Sequence, residues 1–276
     1  MNQIVVALAL VVVVFWGTSL ASANDITLDG TFQQGGLVMG QTIPGSRLIF
    51  EGREVRINPE GRFIIAFGRE APSVAQIKIS MPDGSEQIRE IEIAPRDYKI
   101  QRIDGLPASK VSPPEDVYVR IKAENKEIAR ARQIDSPQSG FLETGFQWPA
   151  IGVVTGVYGS QRILNGIPKQ PHYGIDIAAP EGTAVVAPAG GTVTLAEDDL
   201  YYTGGTIIID HGHGLSSAFL HLHEVAVAVG DQLEKGQEIG TVGSTGRSTG
   251  PHLDWRINWF NVRVDPAFLV GPMPAQ

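Results

Sequence analysis

The sequence predicts a mostly β protein: a small N-terminal antiparallel β-sandwich, a connecting helix, and a larger C-terminal all-β domain. Three observations carry this. Apolar and polar residues alternate with period two from Asp25 to about Asp104, broken by Gly, Pro and Asp turns. One stretch of helical periodicity follows. From about Trp148 onward β-branched runs and frequent Gly return, and helical periodicity nearly vanishes.

The first residues read as an export signal. Ile4 to Trp16 is an unbroken apolar run, too short to span a bilayer comfortably. Ala21-Ser22-Ala23 follows as a small-x-small cleavage pattern, which places the cut after Ala23. No Lys or Arg precedes the run, so an uncleaved anchor is the alternative. No second hydrophobic span follows, so the expectation is an exported protein of the periplasm or cell envelope, with no stable membrane span once the signal is removed. The predicted divisions are 1–23 signal, 24–108 sandwich, 109–147 helix and linker, and 148–276 C-terminal domain.

In the sandwich, strands are predicted at 47–52, 61–67 and 76–80, with turns at Asn58-Pro-Glu-Gly61 and Pro82-Asp-Gly84. It contains no histidine, so it reads as a spacer or binding domain. Ser112-Pro-Pro-Glu115 matches a capping box with Pro113 at the first helical position. Val117, Ile121 and Ile128 then share one helical face, and the charged remainder is solvated. Ser136-Pro-Gln-Ser-Gly140 marks a linker. Strand signals in the last part are 152–157, 184–187, 191–196 and 206–210.

Net charge is −8, which argues against nucleic acid as a partner. There are no cysteines, which excludes disulfides, thiolate metal sites and a lipidated N-terminal cysteine. Any metal must be held by His, Asp or Glu. His172-Tyr-Gly-Ile-Asp176 is the sharpest candidate. Gly174, Ile175 and Ile177 favour extended chain, and residues an even number apart then share a face. An imidazole and a carboxylate on one face suit Zn²⁺. His221-Leu-His223 and His252-Leu-Asp254 are further same-face pairs if the chain is extended. A catalytic zinc site needs about three protein ligands and an open position, with nearby groups to move a proton. The six histidines (172, 211, 213, 221, 223 and 252) fit that better than a structural site.

These motifs resemble the lysostaphin-type, LytM-like zinc metallopeptidases, peptidase family M23. His172-Tyr-Gly-Ile-Asp176 is similar to the family's first metal motif. Ala218-Phe-Leu-His221-Leu222 resembles its Tyr-x-His-Leu segment. Gly246 to Asp254 resembles the run that usually reads Gly-Pro-His-Leu-His. The likeness covers roughly residues 148–270, including 177–182, 187–193, 209–214 and 229–236. It implies a lysostaphin-like all-β peptidase fold, with His172 and Asp176 as zinc ligands. It also implies His221 and His252 as catalytic groups acting on the attacking water and the oxyanion. The third ligand position in the family is a histidine, and here it is Asp254. Either Asp254 is the third ligand, in a less positive site, or the metal site is degenerate.

His223 reads as a surface histidine, with a metal role as the alternative. Asp210-His-Gly-His-Gly214 reads as a polar hairpin turn in which His211 and His213 are not ligands. Tyr173, Tyr201 and Tyr202 line a peptide groove or simply pack on the sheet. Trp255 and Trp259 follow Asp254 closely, and Trp255 points to the opposite face from it and reads as core. Arg256 shares the Asp254 face and steadies it. The implied function is zinc-dependent endopeptidase action on peptidoglycan, with its stem or cross-link peptides as substrate. The alternative is a degenerate domain that binds wall or regulates wall amidases.

Overall fold

The computed structural model describes residues 26–104 and 115–274. The export signal and Ser112, Pro113 and Pro114 of the expected capping box lie outside the described residues. The mostly β expectation holds.

The N-terminal strands are β1 (Thr27–Gly30), β2 (Leu37–Gln41), β3 (Arg47–Phe50), β4 (Arg53–Val55), β5 (Arg62–Ala66), β6 (Val74–Ser80) and β7 (Glu86–Glu92). They form two antiparallel sheets, ordered β1-β2-β5 and β4-β3-β6-β7. Period two is visible in β6, where Ala75, Ile77 and Ile79 are buried and Val74, Gln76 and Lys78 are exposed. β7 is an edge strand carrying Glu86, Arg89, Glu90 and Glu92, a composition that discourages pairing with other chains.

β8 (Ile100–Ile103) precedes α1 (Tyr118–Ala131) and the short α2 (Phe141–Thr144). A 3₁₀ turn at Glu115–Val117 leads into α1, and its N-cap, Val117, makes no side-chain cap bond. The α-helix itself thus begins at Tyr118. Ile121 is buried, and Ile128 and Ala131 pack on Leu195, Leu200, Ile208, Ala218 and Leu220.

The C-terminal part holds β9 (Val153–Gly156), β10 (Gln161–Leu164), β11 (Ile167–Pro168), β12 (Ile175–Ala178), β13 (Ala184–Val186), β14 (Gly191–Leu200) and β15 (Gly204–Gly212). It continues with β16 (Leu215–Val225), β17 (Gln232–Leu233), β18 (Glu238–Val242), β19 (His252–Trp259) and β20 (Val262–Val264). The large sheet runs β17-β14-β15-β16-β19-β12-β9; β18 joins β13 to β16, and β20 pairs with β19. β8 crosses over to pair in parallel with β10. Leu253, Trp255, Ile257 and Trp259 of β19 are buried in the core. His252, Asp254, Arg256 and Asn258 alternate with them onto the opposite face. The sandwich packs directly against this domain. Phe50 meets Trp259 with ring centroids 6.0 Å apart, Arg96 pairs with Asp265 at 2.7 Å, and one apolar core runs through both parts.

Candidate metal centre

Antiparallel register sets Asp176 of β12 directly opposite Asp254 of β19. Like charges opposed across two strands repel, so a cation is needed nearby. Arg256, two residues on, supplies one: its Nε lies 3.0 and 3.1 Å from the two Asp254 carboxylate oxygens. His172 approaches from the other side. It is not in the strand, as the spacing predicted, but in the loop before β12. Backbone bonds pin it there, from His172 N to Ser160 O and from Gly159 N to His172 O, both 2.7 Å. Its Nε2 is 3.2 Å from Asp176 Oδ1, yet it is buried with no bond of hydrogen-bonding geometry among the described residues. One ligand atom from each of His172, Asp176 and Asp254 lies within 4.8 Å of the other two.

A buried imidazole nitrogen without a partner, beside two opposed carboxylates, is a donor set that Zn²⁺ satisfies. The residues fit the ion. The electrostatics agree. Burial pulls the His172 pKa down, but the Asp176 and Asp254 carboxylates outweigh it and the net shift is upward. Burial pushes Asp254 up, and Arg256 reverses this and holds it below the usual carboxylate value. Burial likewise pulls Arg256 down, and Asp254 more than compensates.

His221 and His252 stand beside this cluster, with ring centroids 4.8 Å apart. His221 Nδ1 is 2.8 Å from Thr245 O, and His252 Nδ1 is 2.8 Å from Gly250 O. Both carbonyls accept, so each ring carries its proton on Nδ1 and turns a lone pair out on Nε2. The His252 Nε2 is 3.8 Å from Asp176 Oδ1. Burial lowers the His221 pKa, with the Thr245 carbonyl opposing it.

His221 has φ +67°, rare for a residue with a Cβ, and sits where the β16 register slips. Period two therefore breaks at this point, and the expected same-face pairing with His223 fails. His221 is buried, whereas His223 is exposed, 3.7 Å from Glu181 and outside the cluster. His211 and His213 do flank a hairpin turn between β15 and β16, but the turn is not solvated. His211 is buried, with Nδ1 2.8 Å from Gly190 O and Nε2 2.7 Å from Ser217 Oγ. Burial pushes its pKa down to about 4.

Other supports carried no sequence signal strong enough to single out. A Cβ at Gly156 would lie 2.1 Å from Asp176 Oδ2, so glycine makes room for that carboxylate. A Cβ at Gly174 would lie 2.5 Å from Asp254 Oδ1. Thr245 anchors His221 through its carbonyl, and its hydroxyl accepts from Gly205 N and donates to Leu222 O. The chain at 201–203 backs His221: Thr203 O accepts from His221 N at 2.8 Å, and Tyr201 N donates to Glu124 of α1 at 2.9 Å. Tyr173, Tyr201 and Tyr202 are half-buried, and Arg247 lies over the Tyr202 ring.

The family profile "Peptidase family M23" matches residues 170–266. Peptidoglycan DD-endopeptidase ShyA of Vibrio cholerae is 39% identical over 98 residues, 35% of this chain and 23% of that protein. DD-carboxypeptidase/endopeptidase Mpg of Neisseria meningitidis is 41% identical over 103 residues, 37% of this chain and 24% of that protein. The alignments thus span about a quarter of the length of these two relatives. A Pseudomonas aeruginosa crystal structure assigned to peptidase M23 superposes with TM-score 0.68 at 26% identity, covering 88% of this chain and 96% of that one. That likeness extends well beyond residues 170–266 into the β-sandwich. Residues 170–266 are a peptidase family M23 domain, set behind a β-sandwich and a connecting helix.

Proposed function

We propose that this protein is an exported zinc metalloendopeptidase that hydrolyses peptide bonds in peptidoglycan. The observation that carries the reading is the opposed pair Asp176 and Asp254 with the buried Nε2 of His172 close to both. The name of the Vibrio cholerae relative supports peptidoglycan as substrate, and both relatives are named endopeptidases. No described helix is long and apolar enough to cross a membrane.

His172, Asp176 and Asp254 would hold the ion. When bound, Zn²⁺ supplies Lewis-acid charge that polarises a carbonyl and acidifies water. The chain's own groups do the rest. His221, kept neutral by burial and fixed by Thr245 O, offers Nε2 as the general base that takes a proton from the attacking water. His252, fixed by Gly250 O, presents its Nε2 alongside. Once protonated, either ring donates to the oxyanion or to the leaving amine. Two imidazoles of fixed orientation side by side need no reorganisation during the reaction.

One observation favours a second reading. Arg256 already satisfies both oxygens of Asp254, so the carboxylate is stable without metal, as a degenerate wall-binding or amidase-regulating domain would require. Incubation of the mature protein with purified peptidoglycan, with zinc and with chelator, separates the two. The enzyme reading expects chelator-sensitive release of cross-link peptides. Wall binding without release, at confirmed metal occupancy, overturns it.

A further inference from the structure

Beyond the metal ligands, the same sheet face carries positive charge and unmet donors. β19 continues along this face from Asp254 to Arg256 and Asn258. Register places Ser216 of β16 and Arg263 of β20 directly opposite Asn258, one on each side. Opposed residues project from one face, so the three form a row across the sheet. Arg132, just past the end of α1, joins this row closely enough for guanidiniums to repel. Burial and then Arg256 push Arg132 down to about 10; burial and then Arg132 and Arg256 push Arg263 down to about 9.

The row holds one carboxylate, Asp210, and it forms no ion pair with Arg132 or Arg263 among the described residues. Of the three arginines only Arg256 has a carboxylate in hydrogen-bond reach among the described residues. Arg263 donates to the amide oxygen of Asn258 and lies 5.6 Å from the centre of the Tyr173 ring. Arg132 Nε, Asn258 Nδ2 and Ser216 Oγ are all buried without a hydrogen-bond partner among the described residues. Asn258 is 0% exposed and Ser216 2%. An unmet buried donor costs about 1–3 kcal/mol, more when charged. Asp210, opposite Ser216 on β15, accepts instead from Gly212 N. Asp254 is held by Arg256 and Asp176 lies 3.2 Å from His172 Nε2, and a cation there would draw on both carboxylates further. Water could satisfy the donors but not the charge. The Arg256 side chain is 27% exposed, so the face is open to solvent beside the row.

We propose that Arg132, Arg263 and Asn258 form a subsite for a carboxylate of the peptide being cleaved. This rests on the hydrolase reading and adds a determinant of specificity to it. Asn258 is four residues from Asp254 along β19, about 13 Å at strand spacing. The carboxylate is therefore within about four residues of the scissile bond.

The test is a titration of the metal-free full-length protein with N-acetyl-D-alanyl-D-alanine and with its C-terminal amide, followed by calorimetry. The carboxylate form binds about tenfold tighter or better, as charge-assisted hydrogen bonds require. In Arg132→Gln and Arg263→Gln the preference falls to about twofold or less. Asn258→Asp places a carboxylate inside the row: it abolishes the preference and raises Tm, whereas a buried acid without cationic partners would lower Tm. Equal binding of the two peptides by the unaltered protein overturns the subsite. So does a preference that survives both glutamine variants, or a fall in Tm for Asn258→Asp. The titration needs neither metal nor turnover, so its failure leaves the peptidase reading standing. Absence of chelator-sensitive cleavage, in turn, leaves the titration result standing.

Discussion

Replacing Arg256 with glutamine exposes how the site is balanced without metal. Asp254 is 3% exposed and faces Asp176 across the strand pair, with Arg256 as its hydrogen-bonded cation. Removing one member of a buried ion pair typically costs about 3–5 kcal/mol, because the other charge is left stranded. Two features point to the lower end. The Arg256 side chain is 27% exposed, and its loss relieves repulsion on Arg132 and Arg263. We expect a loss of about 3 kcal/mol in chelator, or roughly 6–12 °C in Tm at 2–4 °C per kcal/mol for a chain of this size. Zinc should reverse much of this, because it takes over neutralisation of both carboxylates. Freed of its competitor, Asp254 should also bind the ion more tightly, each tenfold gain adding about 1.4 kcal/mol of stabilisation. Urea unfolding of both proteins, with chelator and with zinc, gives the four stabilities needed. An unchanged metal-free stability, or a smaller zinc increment in Arg256→Gln, refutes the reasoning.

Two further outcomes follow from particular groups. His211 is neutral in the fold, with its pKa pushed down to about 4, against about 6.5 for an unperturbed imidazole. Between these values the unfolded chain binds the extra proton, so stability falls as pH drops from about 6.5 to 4, by on the order of 3 kcal/mol. His211→Gln should remove that part of the acid sensitivity; matching pH–stability slopes for the two proteins in denaturant titrations would contradict it. Gly156→Ala drives a methyl group to 2.1 Å from Asp176 Oδ2, so the carboxylate must move. Zinc affinity by competition with a chelating dye should weaken about tenfold or more, with circular dichroism unchanged; unaltered affinity would show that Asp176 does not depend on that gap.

Much of this was readable in the residues, and the failures share a cause. Period two located β3, β5 and β6 and the core side of β19, because each strand buries one face. The same rule misplaced His172, which a loop delivers, and joined His221 to His223 across a bulge. A register slip and φ +67° are three-dimensional facts that alternation cannot foresee. The hairpin at 210–214 was legible from its glycines, but the burial of His211 and His213 was not, because Phe141 and Phe146, which pack on them, come from a distant linker helix and the segment after it. Gly156 and Thr245 were invisible for a related reason. One acts by lacking a side chain and the other through its carbonyl, and neither role leaves a mark in residue type. Arg256 was expected to steady Asp254, and it does so by direct pairing.

The proposed metal centre depends most on Asp254 as the third ligand. Zinc per chain, measured by atomic spectroscopy after dialysis of wild type, Asp254→Ala and Asp254→His, tests this directly. Wild type and Asp254→His should each retain about one zinc, and Asp254→Ala should lose most of it. Equal zinc in wild type and Asp254→Ala would contradict it.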